Sequence, residues 1–169
     1  KKKTPEQIAE AFIQPEKGVE TAEEALQGAR DILAEQFSDD ADVRKKLREL
    51  AFRTGVLESK KAKDEDSVYS MYYDFSQEVR NLPGHRILAV NRGEREGFLK
   101  VTIRMDEVAS VGILERAFVR EGSTTTQQVK AACQDAWERL VEPSLEREVR
   151  AELTDRAGTA AIQVFGKNL

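Results

Sequence analysis

The 169-residue chain is 40% hydrophobic and 34% charged, with a net charge of −4 and one cysteine, Cys133. That length suits one ordinary domain or two small helical lobes, and the apolar content is too high for a disordered chain. The mild acidity argues against a globally basic nucleic-acid binder, no apolar run nears the roughly 18–20 residues of a membrane span, and a lone cysteine suits a reducing cytoplasm.

In chain order, Thr4-Pro5-Glu6-Gln7 combines an N-cap, a first-turn proline and a closing Gln. It predicts a short helix with Ile8, Ala9, Phe12 and Ile13 on one face, ended by Pro15. Thr21-Ala22-Glu23-Glu24 opens a second helix with an inner stripe of Ala22, Ala25, Leu26, Ala29, Ile32, Leu33 and Phe37. Ser38-Asp39-Asp40 breaks it and caps a third, over 41–54, with Val43, Leu47, Leu50 and Ala51 inside and Gly55 as its C′ glycine. The short turn gives this pair helix-turn-helix spacing.

The period then changes. Val56 to Lys60 reads as a strand, Asp64-Glu65-Asp66 as a charged loop, and Ser76 to Asn81 as a short helix before Pro83-Gly84. Residues 85–92 are ambiguous: Ile87 to Val90 fits a strand, but Gly93 reads as a helix terminator and a short helix is favoured. Phe98 to Arg104 alternates and is the clearest strand, giving a small two-stranded β-ribbon that needs helices packed on it. A helix follows from Asp106 to Val119, then a loop and N-cap over 122–126. The next helix buries Val129, Ala132, Cys133, Ala136, Trp137 and Leu140. Pro143 starts the last and longest, with Leu145, Val149, Leu153, Ala157, Ala161, Val164 and Phe165 on its seam and Glu146/Arg150 and Glu152/Arg156 pairs outside. The fold class is mainly α: a multi-helix bundle with a helix-turn-helix-like pair and a small ribbon. Its segments are a helical lobe to about residue 55, a ribbon-and-helix portion over 56–120, and long helices over 124–169. The chain lacks an initiator Met and stops within an amphipathic pattern, so a longer parent protein is expected.

Several blocks occur together. Glu16-Lys17-Gly18-Val19 leads into Glu24-Ala25-Leu26-Gln27-Gly28-Ala29-Arg30-Asp31-Ile32-Leu33-Ala34-Glu35. Tyr72-Tyr73-Asp74-Phe75-Ser76 precedes Pro83-Gly84-His85-Arg86-Ile87-Leu88-Ala89-Val90-Asn91-Arg92-Gly93-Glu94. Pro143-Ser144-Leu145-Glu146-Arg147-Glu148-Val149-Arg150 is followed by Ala161-Ile162-Gln163-Val164-Phe165. In this order and spacing they resemble the N-terminal region of the Tex family of bacterial transcription accessory proteins, over nearly the whole chain. The resemblance implies a multidomain, cytoplasmic, nucleic-acid-binding protein. In that family this region precedes an RNase-H-like (YqgF-like) domain, helix-hairpin-helix elements and an OB-fold RNA-binding domain, none of them within these residues. Gly84 departs from the family's usual Ser, which removes a helix N-cap.

Catalytic patterns are missing. One His and one Cys cannot supply a zinc site, Cys133 falls on an apolar helix face, and His85 has no Ser or Cys beside it in an activating motif. Asp64-Glu65-Asp66 reads as a solvated loop, and Gly93 to Gly97 lacks the spacing of a phosphate loop. No enzyme activity, metal or cofactor is expected. Two basic features remain. Between Arg44 and Lys63 stand Arg44, Lys45, Lys46, Arg48, Arg53, Lys60, Lys61 and Lys63 against Glu49 and Glu58 alone. Lys45, Arg48 and Phe52 share the face opposite Val43, Leu47 and Leu50, suited either to phosphate contact or, more commonly, to a solvated face whose Phe52 covers a neighbouring domain. Around Gly93–Gly97 lie Arg86, Arg92, Arg95, Lys100 and Arg104. They suit an RNA or DNA backbone, although an Arg92–Glu94 ion pair fixing the turn is the favoured alternative. The expected partners are RNA or DNA, mainly through the other domains, and the transcription machinery, with no membrane.

Overall fold

The computed structural model describes residues 21–168, with side chains as far as Ile162. The expected 5–14 helix and the seam positions Val164 and Phe165 lie outside that description. The fold is mainly α. Its elements are α1 (Ala22–Ser38), α2 (Ala41–Thr54), β1 (Val56–Lys61), β2 (Asp74–Glu78), α3 (Gly84–Arg95), β3 (Leu99–Arg104), α4 (Glu107–Phe118), α5 (Thr126–Asp135) and α6 (Glu142–Asn168). Short 3₁₀ turns cover Ser70–Tyr72 and Val79–Asn81. The described residues divide into two compact units that interleave along the chain. The first takes residues to Leu47 and Glu107–Pro143, and the second takes Arg48–Asp106 and residues from Ser144 onward.

In the first unit, α1 starts where expected. Thr21 Oγ1 accepts from the Glu24 N–H at 3.0 Å, which satisfies one of the orphan donors of a helix start. Asp40 Oδ1 does the same for Val43 N–H at 2.9 Å and so begins α2. The buried face of α1 is narrower than its apolar stripe: Ala25, Ala34 and Phe37 are inside, while Ile32 is 57% exposed. Phe37 stacks on Phe118 of α4 with centroids 4.1 Å apart.

The long helix does not begin afresh at Pro143. A π turn over Ala136–Val141 joins α5 to α6 without a break, and Glu142 N–H reaches back to the Trp137 carbonyl. Proline has no N–H and its ring clashes with the carbonyl four residues earlier, and the wider turn accommodates both. The extra residue also shifts the phase, so that Val141 rather than Leu140 is fully buried beside Trp137.

The second unit is built on a three-stranded antiparallel sheet ordered β2-β1-β3, which corrects the two-stranded ribbon. The added strand is Asp74–Glu78, where the sequence pattern places part of a helix; only Val79–Asn81 coils. Its alternating exposed and half-buried residues mark a strand lying on the sheet edge, which a short polar segment does not announce. Leu57 and Ser59 of β1 and Leu99, Val101 and Ile103 of β3 point to the core, where Ile87 and Val90 of α3 and Val149, Leu153 and Ala157 of α6 meet them. The i, i+4, i+8 seam of α6 is as its spacing predicts.

Three glycines have roles other than those expected. Gly93 does not end α3, which runs on to Arg95. It is buried where a Cβ would come within 2.5 Å of Leu99 Cδ1, and the left-handed residue past the helix is Gly97, at φ 85°. Gly84 opens α3 without a side-chain cap and lies against Ala157, 3.3 Å from the position of its absent Cβ to the Ala157 Cα. Gly55 is not left-handed either; a Cβ there would sit 2.3 Å from the Ala51 carbonyl oxygen. Gly55→Ala is therefore expected to lower stability by about 1–3 kcal/mol, read as a drop in the urea midpoint at unchanged slope. An unchanged midpoint would contradict the close approach.

Candidate nucleic-acid interface

Two of the five basic residues of α2 are committed to structure, while Lys45, Lys46 and Arg53 are exposed. Arg44 Nη1 donates to the Ser38 carbonyl at 3.0 Å, closing the last turn of α1. Arg48 pairs with Glu148 at 3.1 Å. Phe52, expected to face outward, is half-buried with the Arg156 guanidinium 4.9 Å above its ring. Arg48, Glu49, Phe52 and Arg53 form one wall of an open groove of about 1050 Å³, with Glu148, Glu152 and Arg156 on the other. Its charge is mixed, so it offers phosphate no consistent field. Lys45 is exposed and belongs to the first unit.

The sheet brings the other two groups together. Lys60 lies opposite Asp74 on one side and Lys100 on the other. The Ala62 N–H donates to the Phe98 carbonyl, and the Phe98 N–H to the Gly93 carbonyl, each at 2.9 Å. These bonds set the end of β1, the start of β3 and the last turns of α3 at one end of the unit. Lys60, Lys61, Lys63, Arg92, Arg95 and Lys100 all border it. Several are neutralised there. Lys60 donates to Asp74 at 2.6 Å, which holds its ammonium above and the Asp74 carboxyl below their ordinary ranges. Lys61 donates to Asp64 at 2.7 Å with the same opposed effects. Lys63 sits 4.0 Å above the Phe98 ring.

Arg86 stands apart from that end: it donates to Gln77 Oε1 at 2.6 Å and covers the Phe75 ring at 5.5 Å. The expected Arg92–Glu94 pair is replaced. Glu94 instead receives two bonds from Arg150, at 2.7 and 3.3 Å, and Arg150 also donates to Asn91 at 2.8 Å. That takes Arg150 away from the Glu146 pairing its spacing suggested, whereas Glu152–Arg156 forms at 2.9 Å. The phenol of Tyr69 donates to Glu96; burial first, and then that carboxylate, raise the Tyr69 pKa. Among the described residues Arg92, Arg95 and Lys100 have no ion-pair partner, and all three are exposed. The Arg150–Glu94–Asn91 cluster is invisible in the sequence because partners more than fifty residues apart leave no local signal.

Among the described residues no three His, Cys, Asp or Glu side chains gather as they would to hold a metal ion. His85 is exposed on the first turn of α3. Cys133 is fully buried, and burial, with Glu115 adding to it, pushes its pKa to about 12. No described helix is long and apolar enough to cross a membrane. Cys133 is expected to resist a thiol reagent at pH 8 in the native protein and to react fully in denaturant; rapid native labelling would contradict its burial.

Comparison with known proteins places this geometry in context. The model of the Tex central region-like family matches residues 1–165. The chain is 39% identical to the uncharacterized protein YdcI of Bacillus subtilis over 95% of its own length and 23% of that protein's. It is 33% identical to the transcriptional accessory protein Tex of Neisseria gonorrhoeae, covering 88% of the chain and 21% of the relative. It is 31% identical to the human S1 RNA-binding domain-containing protein 1, covering 94% and 18%. The chain thus spans less than a quarter of the length of these relatives.

Proposed function

The chain belongs to the Tex family of transcription accessory proteins, and on that premise we propose that it is a non-catalytic helical module helping the whole protein hold RNA or DNA. One observation carries the reading. Arg92, Arg95 and Lys100 flank a single turn, exposed and without carboxylate partners among the described residues. A phosphate backbone needs cations that are not already spent on internal pairs. The relatives' names, transcriptional accessory protein and S1 RNA-binding domain-containing protein, support nucleic acid as the partner class. The first of these names also supports a place beside the transcription machinery.

Three such cations give little affinity at physiological salt, so the module binds weakly by itself and assists the rest of the protein. The rival is a structural or protein-binding scaffold that positions RNase-H-like and OB-fold domains elsewhere in the protein. It draws on the internal partners of Arg44, Arg48, Lys60, Lys61 and Arg86. A salt titration of binding to labelled single-stranded RNA and duplex DNA separates them. Binding is expected in dilute buffer, and Arg92→Ala/Arg95→Ala/Lys100→Ala should reduce the salt slope by about 3, near one for each cation removed. A slope untouched by the triple change, or no salt-dependent binding, would leave the scaffold reading in possession.

A further inference from the structure

Phe98 lies within the turn that Arg92, Arg95 and Lys100 flank. Its backbone is pinned on both sides: the Phe98 N–H donates to the Gly93 carbonyl, and the Phe98 carbonyl accepts from the Ala62 N–H, each at 2.9 Å. Its ring lies 5.8 Å from that of Tyr69, tilted by 37°, and Tyr69 is itself buried and bonded to Glu96. The ring is thus held in a fixed place. It is only half-buried, and the Lys63 ammonium stands over its face, 4.0 Å from the centroid.

That cover is loose. The Lys63 side chain is 44% exposed, and its ion pair with Glu65 is long, at 4.0 Å. Gly97, next to the ring, has a left-handed backbone and no side chain. Apart from its chain neighbours, the described atom within 4 Å of where a Gly97 Cβ would stand is the same Lys63 Nζ, at 4.0 Å. The ammonium therefore borders space that is otherwise open at that point.

Sites for single-stranded nucleic acid combine cations that follow the backbone with aromatic rings on which bases stack. A cation over a ring at an exposed position contributes less than a base stacked on that ring. A base can therefore take the place of Lys63, and the released ammonium adds a contact to phosphate. In a duplex the bases are stacked on one another and offer no free face. We propose that Phe98 is a stacking site for one unpaired nucleobase, and that Lys63 moves off the ring to admit it. The proposal rests on the nucleic-acid reading above and narrows the ligand at this turn to a single strand.

The test compares three end-labelled ligands by fluorescence anisotropy in dilute buffer: mixed-sequence single-stranded DNA, an abasic strand of equal length and charge, and duplex DNA. The mixed strand is expected to bind about tenfold more tightly than the abasic one. Phe98→Leu keeps an apolar side chain but has no ring. It should weaken the mixed strand by about the same factor and leave the abasic strand and the duplex unchanged, while Phe98→Tyr binds as the parent does. The Lys63 ε-methylene proton resonances, shifted upfield by the ring in the free chain, should return to their ordinary position with the mixed strand and stay in place with the abasic one. Equal binding of the mixed and abasic strands would overturn the stacking site while leaving phosphate contact standing. So would an equal loss for all three ligands in Phe98→Leu, no loss for any, or Lys63 resonances unmoved by the mixed strand. No salt-dependent binding of any ligand would overturn both readings.

Discussion

The pairing of β1 with a neighbour on each side governs the second unit. A strand's side chains alternate, so a slip of one residue would turn Leu57 and Ser59 out and Glu58 and Lys60 in. The observed register also sets Lys60 against Lys100, a like-charge pair that is unfavourable on its own. Asp74, opposite Lys60 on the other edge, offsets it by accepting from the Lys60 ammonium. One lysine is thereby quenched and the other left to solvent. The surface charge at this end is a consequence of sheet register, and a count of basic residues along the chain does not reveal it.

Packing within the first unit depends on a different device. The π turn over Ala136–Val141 lets one continuous helical rod carry Pro143 while keeping Ala136, Trp137 and Val141 wholly inside. The Trp137 indole N–H has no partner among the described residues, which is a cost of burying so large a side chain there. Cys133 shares that interior, and its thiol is structural for the same reason that it is unreactive.

Much of the architecture is legible locally. Caps at Thr21 and Asp40, the i+4 ladder of α6 and the alternation of β3 are short-range signals with short-range causes, and the structure repeats them. β2 is not legible in the same way, because Asp74 to Glu78 becomes a strand only through β1, which lies about a dozen residues earlier. Likewise the sequence shows which residues are basic but not which carboxylates quench them. Arg48 meets Glu148, and Arg150 meets Glu94, over separations that no window of sequence spans. Phe52 reads as an outward aromatic along its own helix, and only packing against the distant core and the Arg156 guanidinium above its ring changes that. The family resemblance is readable because it rests on blocks in order. The contact surface is readable only in part because it rests on pairings in space.

Among the described residues, Arg92, Arg95 and Lys100 are the cations that internal pairing leaves around one turn, as Lys45, Lys46 and Arg53 are left on α2. On the proposed reading such a module adds modest, salt-sensitive contacts, which suits a family of accessory proteins. The most direct test of where the chain meets nucleic acid is photo-crosslinking to single-stranded RNA carrying 4-thiouridine, followed by peptide mapping. The account predicts crosslinks within residues 92–100, diminished as salt rises. Crosslinks concentrated on α2 between Arg44 and Arg53, or none on the chain at any salt, would contradict it.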